Sequence, residues 1–197
     1  MARGAVSGPP ALVLAAGSSR RMPGASKLVR EWGDTTVLGA VVRAARAADL
    51  SPVVVAGRAG VTPSAADGAD RRVSVPAGGG RADSLRLGLA AIEPGEVVVL
   101  LGDEPAVDPA VVSELVESCR AAEADAGRVQ YTDRPGHPVW LAPSARAVAA
   151  TLSGEAAVWD AVSRRPLKTF VLDVDRPAPI DVDSPEDLER ARSRRES

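Results

Sequence analysis

The residues best suited to chemistry stand near the start of the chain: Leu14, Ala15, Ala16, Gly17, Ser18, Ser19, Arg20, Arg21 and Met22, with Lys27 just beyond. Small side chains from Ala16 to Ser19 let a ligand approach the backbone, and Gly17 can take a positive φ. Successive N–H groups in such a turn form a concave anion site. Arg20, Arg21 and Lys27 surround it with full positive charge. This is the chemistry of a polyphosphate cradle. Far along the chain stand Asp103, in Gly102-Asp103-Glu104-Pro105, and Asp181 and Asp183, in Ile180-Asp181-Val182-Asp183. An aspartate just past a buried strand can hold a hard cation, and magnesium takes one or two carboxylates together with phosphate oxygens and water. Asp103 supplies one carboxylate; Asp181 or Asp183, ending a late strand, supplies another. Each of these aspartates equally suits a turn or a helix cap.

The elements that must position these groups follow from the apolar pattern. Ala11–Ala15, Pro52–Gly57 and Glu96–Leu101 are short, almost wholly apolar runs, as expected of parallel strands buried on both faces. Val73–Pro76, Arg128–Tyr131, Val139–Leu141, Leu167–Leu172 and Ile180–Asp183 add shorter strand patterns. Helical patterns run from Val37 to about Ala48, capped by Thr35 or Thr36, and from the glycine stretch Gly78-Gly79-Gly80 through Ile92. Others follow Asp108-Pro109, span Pro143–Leu152 and Glu155–Val162, and close the chain after Ser184-Pro185-Glu186. Strands alternating with helices predict an α/β fold with a mostly parallel sheet. In such sheets ligands collect beyond the carboxyl ends of the strands, where the Gly17 loop and Asp103 fall.

Composition narrows the function classes. The chain has 197 residues, a net charge of −2 and 3% aromatics, so it offers neither a basic face for nucleic acid or an anionic membrane nor a base-stacking platform. The single cysteine, Cys119, excludes an intrachain disulfide and a cysteine metal cluster, and its helical setting suits a buried structural thiol. No apolar run approaches a membrane span. These features predict a cytoplasmic protein with a loose tail over residues 1–10 and a single domain over 11–195. Pro23-Gly24-Ala25-Ser26 predicts a flexible lid carrying Lys27.

Taken together, four stretches resemble a known family. Leu14-Ala15-Ala16-Gly17-Ser18-Ser19-Arg20-Arg21-Met22, followed by Lys27-Leu28, is similar to the LAAGxSxRMxxxK signature of nucleotidyltransferases. Gly102-Asp103-Glu104-Pro105 resembles the GDxP element of the MobA-like group, which builds molybdenum-cofactor dinucleotides. Arg134-Pro135-Gly136-His137-Pro138-Val139 is similar to its RxGHPV stretch, and Asp181–Leu188 to its closing D-x-D-[ST]-PEDL. The resemblance implies a Rossmann-like, three-layer, mixed and mostly parallel sheet of the nucleotide-diphospho-sugar transferase type. It implies an Mg²⁺-dependent enzyme that transfers a nucleoside monophosphate from CTP or GTP to a phosphorylated acceptor and releases pyrophosphate. By the same resemblance Leu14 to Arg20 bind the nucleotide, Arg21 and Lys27 neutralise phosphates, and Asp103 and Asp183 hold the metal.

Gly80 and Ser84 lie in Gly80-Arg81-Ala82-Asp83-Ser84-Leu85-Arg86-Leu87-Gly88-Leu89. That stretch resembles both molybdopterin cytidylyltransferases and methylerythritol-phosphate cytidylyltransferases, which places the two residues near a cytosine and favours cytidylyl over guanylyl transfer. Gly136 and His137 fall on the acceptor side, where His137 suits positioning better than proton transfer. Two positions depart from the pattern: Glu104 stands where Met or Gln is usual, and Gly154-Glu155-Ala156-Ala157 lacks the expected basic residue. Competing readings are a methylerythritol-phosphate cytidylyltransferase-like or sugar-phosphate nucleotidyltransferase, a non-catalytic nucleotide-binding protein, and an NAD-dependent oxidoreductase; the last lacks a G-x-G-x-x-G loop.

Overall fold

Apolar runs that have no polar face must be covered on both sides, and that requirement organises the molecule. A computed structural model describes residues 8–17, 21–22, 26–58, 63–154 and 157–196. Strand β1 (Ala11–Ala15) lies in the interior of a seven-stranded sheet. A hairpin of β2 (Glu31–Trp32) and β3 (Thr35–Thr36) stands apart from it. The other sheet strands are β4 (Val53–Gly57), β5 (Arg71–Ser74), β6 (Val97–Leu101), β7 (Ala126–Gln130), β8 (Pro135–Leu141) and β9 (Thr169–Asp173). The order is β5-β4-β1-β6-β8-β7-β9, and β8 runs antiparallel to both its neighbours while the other pairings are parallel. This is the mixed, mostly parallel α/β sheet of Rossmann type.

Helices cover both faces, and alternate strand residues feed two cores. On one face α1 (Val37–Ala47), α3 (Pro109–Ala121) and α6 (Pro185–Glu196) meet Val13, Val55 and Leu100. On the other α2 (Arg81–Ala90), α4 (Pro143–Ala149) and α5 (Val158–Ser163) meet Leu12, Val54 and Val99. Helix starts follow their caps: Thr36 Oγ1 accepts from Gly39 N at 2.9 Å, and Asp108 Oδ1 accepts from Ala110 N at 2.8 Å. Gly88 lets α2 press on β1, because a Cβ there would lie 2.3 Å from a methyl of Leu12. Cys119 is buried against β7, and burial pushes its thiol up to about 12, so it packs rather than reacts.

Several expectations are corrected. Strand β5 begins at Arg71, two residues before the predicted one. Residues 8–10, assigned to a loose tail, are docked: Gly8 N donates to Asp49 O at 3.0 Å and Pro9 O accepts from Ser51 N at 3.1 Å; residues 1–7 lie outside the described residues. Strand β8 starts at Pro135, so the Gly136-His137-Pro138 stretch belongs to a strand and not to a loop. The ladder with β7 shifts register between Arg128 and Val129, and this bulge accommodates a proline that cannot donate. Ile180–Asp183 forms no strand: Val182 N donates to Asp103 O at 2.9 Å instead of joining the sheet.

Candidate active site

Beyond the carboxyl ends of β1 and β6, side chains from three distant parts of the chain meet. Gly102 N donates to Leu14 O at 2.9 Å, which extends the β1–β6 ladder by one step and sets Asp103 beside the loop after β1. Lys27 opens a short 3₁₀ turn, Lys27–Val29, whose first residue is fixed by Ser26 Oγ accepting from Leu28 N at 3.4 Å and by burial of Leu28. Lys27 therefore stands on an ordered turn, contrary to its expected place on a flexible lid; residues 23–25 lie outside the described residues. Its side chain is only 4% exposed, and Nζ lies 2.5 Å from Asp103 Oδ2 and 2.6 Å from Asp183 Oδ1. Arg21 Nη2 reaches the other oxygen of Asp183 at 2.5 Å from a largely exposed position. Burial works against a charged ammonium, but the two aspartates outweigh it and hold Lys27 above its usual pKa.

The loop that feeds this cluster leaves β1 at the expected residue, but Gly17 does not adopt the positive φ open to it. Leu14 and Ala15 end β1, Ala16 is buried, and Gly17 is exposed, where a Cβ would lie 4.0 Å from Lys27 Cε. Ser18, Ser19 and Arg20 lie outside the described residues. Gly80 and Ser84 stand at the start of α2, but their polar groups are engaged there. Gly80 N donates to Asp83 Oδ2 at 3.0 Å, and buried Ser84 turns its hydroxyl on Gly80 O at 3.4 Å.

On the far side of Asp103 the site is acidic. Glu104 is 3% exposed. Burial, the charge of Asp181 with a hydrogen bond between the two side chains, and the charge of Asp103 push its carboxyl well above the usual range. Arg134 opposes that shift and donates from Nη1 to Asp181 Oδ2 at 3.0 Å. Asp181 thus faces Glu104 and Arg134, and Asp183 is the aspartate that joins Asp103.

Gly136 and His137 enter from the top of β8. Gly136 packs on the Tyr131 ring, and Tyr131 Oη donates to His137 O at 2.7 Å. Burial, with Arg134 and Arg81 nearby, lowers His137 to about 4 against the pull of Asp181, so its imidazole is neutral at physiological pH.

The sequence matches the MobA-like NTP transferase domain over residues 11–169. The chain belongs to the MobA-like NTP transferase family. Among solved structures it is similar to Rv0371c from Mycobacterium tuberculosis H37Rv, with 31% identity, 94% of this chain and 99% of that chain covered, and a TM-score of 0.81. A manganese complex of Rv0371c matches at 31% identity over 93% of this chain and 97% of that one, with a TM-score of 0.78. At the level of fold it is also similar to 2-C-methyl-D-erythritol 4-phosphate cytidylyltransferase from Thermus thermophilus. There the identity is 19%, with 96% and 99% of the chains covered and a TM-score of 0.73. No curated protein matches the sequence.

Two features of this NTP transferase go beyond what the sequence pattern assigned. One is the Arg134–Asp181–Glu104 contact, which joins residues from three separated motifs. The other is Asp187. Its Oδ2 accepts from Asp183 N at 3.3 Å and Ser184 N at 3.0 Å, while Ser184 Oγ accepts from Asp187 N at 3.2 Å, a reciprocal cap that fixes the start of α6 behind Asp183. The Ser184-Pro185-Glu186-Asp187 spacing signals that cap once its role in holding Asp183 is known.

Proposed function

We propose that this chain transfers a nucleoside monophosphate, CMP in preference to GMP, from its triphosphate to a phosphorylated small-molecule acceptor of the molybdenum-cofactor type. The observation that carries the reading is the convergence of Lys27 and Arg21 with Asp103 and Asp183, two cations and two carboxylates, at the mouth of a small-residue loop. An acceptor phosphate oxygen bonds to the α-phosphorus, the bond to the β-phosphate oxygen breaks, and pyrophosphate leaves. Little covalent chemistry is required of the protein; it must align two polyanions and answer the charge that develops.

The residues fit a hard divalent cation. Asp103 Oδ2 and Asp183 Oδ1 already reach one point of positive charge, the Lys27 ammonium. Among the described residues no cluster of three or more His, Cys, Asp or Glu side chains offers a fuller cage. That suits magnesium, which keeps water and phosphate oxygens in its shell. Bound by Asp103 and Asp183, the ion would supply Lewis-acid charge to the α-phosphate.

Lys27 and Arg21 then turn to the phosphate oxygens. A pair of unit charges at 4 Å is worth about 1 kcal/mol in water and about 4 kcal/mol near a protein surface, so the burial of Lys27 strengthens its hold on a phosphate. Neutral His137 orients the acceptor side. No general base is required of it, because a phosphate monoester with a second pKa of about 6 arrives as an anion.

The test is pyrophosphate release from CTP, GTP, UTP and ATP with Mg²⁺ or Mn²⁺ and candidate phosphorylated acceptors. Expected is release with CTP or GTP that is abolished by metal removal, by Lys27→Ala and by Asp103→Ala. Turnover that survives both substitutions overturns the site. Thermal stabilisation by NAD without stabilisation by any triphosphate supports an oxidoreductase, and stabilisation by CTP without turnover across the acceptors supports a nucleotide-binding protein.

A further inference from the structure

The segment 178–184, which carries Asp183, belongs to no strand, so its position must come from contacts outside the sheet ladder. Its second half is fixed by Val182 N donating to Asp103 O at 2.9 Å and by the Asp187 cap. Its first half is tied to the turn between β7 and β8. Asp133 Oδ1 accepts from Ala178 N at 2.7 Å. Arg134 then grips two points at once, donating from Nη2 to Pro179 O at 2.5 Å and from Nη1 to Asp181 Oδ2 at 3.0 Å. Asp181 in turn hydrogen-bonds buried Glu104, the neighbour of Asp103.

We propose that Arg134 is a positioning residue for the carboxylate pair: by strapping the 178–181 backbone to the β7–β8 turn it sets where Asp183 meets Asp103. The inference rests on the reading of Asp103 and Asp183 as metal-holding carboxylates. Geometry gives it force. Asp183 is two residues beyond the gripped Asp181, and its Oδ1 must meet the same point as Asp103 Oδ2, as both now do on Lys27 Nζ. A planar guanidinium can hold a carbonyl and a carboxylate together in fixed directions, whereas an ammonium on a flexible stem cannot hold both so rigidly. Arg134 acts on the pair through the backbone of the segment. It also supplies positive charge to a corner where Asp103, Glu104 and Asp181 face one another.

The test is Mn²⁺ binding to the full chain without nucleotide, followed by the electron paramagnetic resonance of free Mn²⁺. Outer groups that orient metal ligands commonly change metal affinity by about 10- to 100-fold. Expected for Arg134→Met is binding weaker by about tenfold or more, partly restored in Arg134→Lys. In turnover, the Mn²⁺ concentration for half-maximal rate rises while KM for CTP at saturating Mn²⁺ stays within about twofold. Mn²⁺ affinity of folded Arg134→Met equal to that of the parent overturns the proposal. Should Arg134→Met fail to fold, Arg134→Lys decides, since parental Mn²⁺ affinity in that variant also overturns it. Asp103→Asn is the control: Mn²⁺ binding indifferent to that change as well overturns the metal reading itself, whereas loss in Asp103→Asn without loss in the Arg134 variants overturns only the role of Arg134.

Discussion

Lys27 Nζ lies 2.5 Å from Asp103 Oδ2, and the same ammonium reaches Asp183 Oδ1 at 2.6 Å. One buried cation therefore satisfies two carboxylates that arrive from the middle and the far end of the chain. Such a contact cannot coexist unchanged with a metal ion held by both aspartates, because two cations would then share one small volume. On the proposed reading, Lys27 would have to turn towards phosphate for both aspartates to hold the ion, which would couple metal binding to the nucleotide.

That coupling predicts opposite effects from one substitution. Lys27→Met removes the competing ammonium and leaves Asp103 and Asp183 facing each other. Nucleotide-free Mn²⁺ affinity should rise by about tenfold, the equivalent of one modest electrostatic contact of about 1.4 kcal/mol. Pyrophosphate release should fall by about 100-fold or more, as when a preorganised charge is lost from a transition state. Titration with Mn²⁺ and a turnover assay on the same preparation check both, and a fall in Mn²⁺ affinity would contradict the competition.

The neutral state of His137 makes a pH prediction. Its folded pKa of about 4 lies below the ordinary value of 6.5, so the unfolded chain binds the extra proton between those values. Stability from this residue is complete above about pH 6.5 and is lost as pH falls towards 4, by about 3 kcal/mol at most. His137→Gln should flatten the acid limb of chemical denaturation in that window. It should also leave the pH–rate profile between 6 and 9 unchanged in shape, since a base with this pKa contributes no break there.

Much of the fold was legible because its central strands leave no choice of environment. Runs such as Val97-Val98-Val99-Leu100-Leu101 have no polar face, and each became a strand covered on both sides. The misses have local physical causes. Pro135 and Pro138 suppress strand signals, yet a bulge lets β8 run through them. Ile180-Asp181-Val182-Asp183 alternates like a strand, but its amides are claimed by Asp103 and Asp187. Lys27, Asp103 and Asp183 were each recognisable from their motifs, and the structure brings them together. Arg134 was recognisable only as part of a motif, because its partners, Pro179 O and Asp181, are distant in sequence and one of them is backbone.

Packing between α3 and β7 gives a prediction about stability alone. A Cβ at Gly127 would stand 2.1 Å from Cys119 Sγ and 3.3 Å from a methyl of Leu115. Gly127→Ala should destabilise by about 1–3 kcal/mol, the usual cost of overpacking. Cys119→Ala removes the sulfur and should recover part of that loss in the double variant. Urea denaturation of the two single variants and the double one measures the coupling. Additive losses would show that Leu115 or the backbone, and not the sulfur, sets the limit.

Glu104 offers the sharpest separation of charge from shape. Its carboxyl is pushed well above the usual carboxylate range by burial and by Asp181 and Asp103. An acid whose folded pKa is raised binds its proton more tightly in the native state, so it costs stability as pH rises above its unfolded value of 4.5. The loss accumulates at up to about 1.4 kcal/mol per pH unit until the folded group itself ionises. Glu104→Gln keeps the shape and a hydrogen-bond donor for Asp181 but has no proton to lose. It should be close to the parent near pH 4.5 and more stable at pH 8, and metal-dependent turnover should remain within about threefold because the amide keeps the shape and the hydrogen bond to Asp181. Thermal unfolding across that range measures the divergence. A stability difference that does not grow with pH would mean that Glu104 is ionised in the native protein, with Arg134 as its counter-charge.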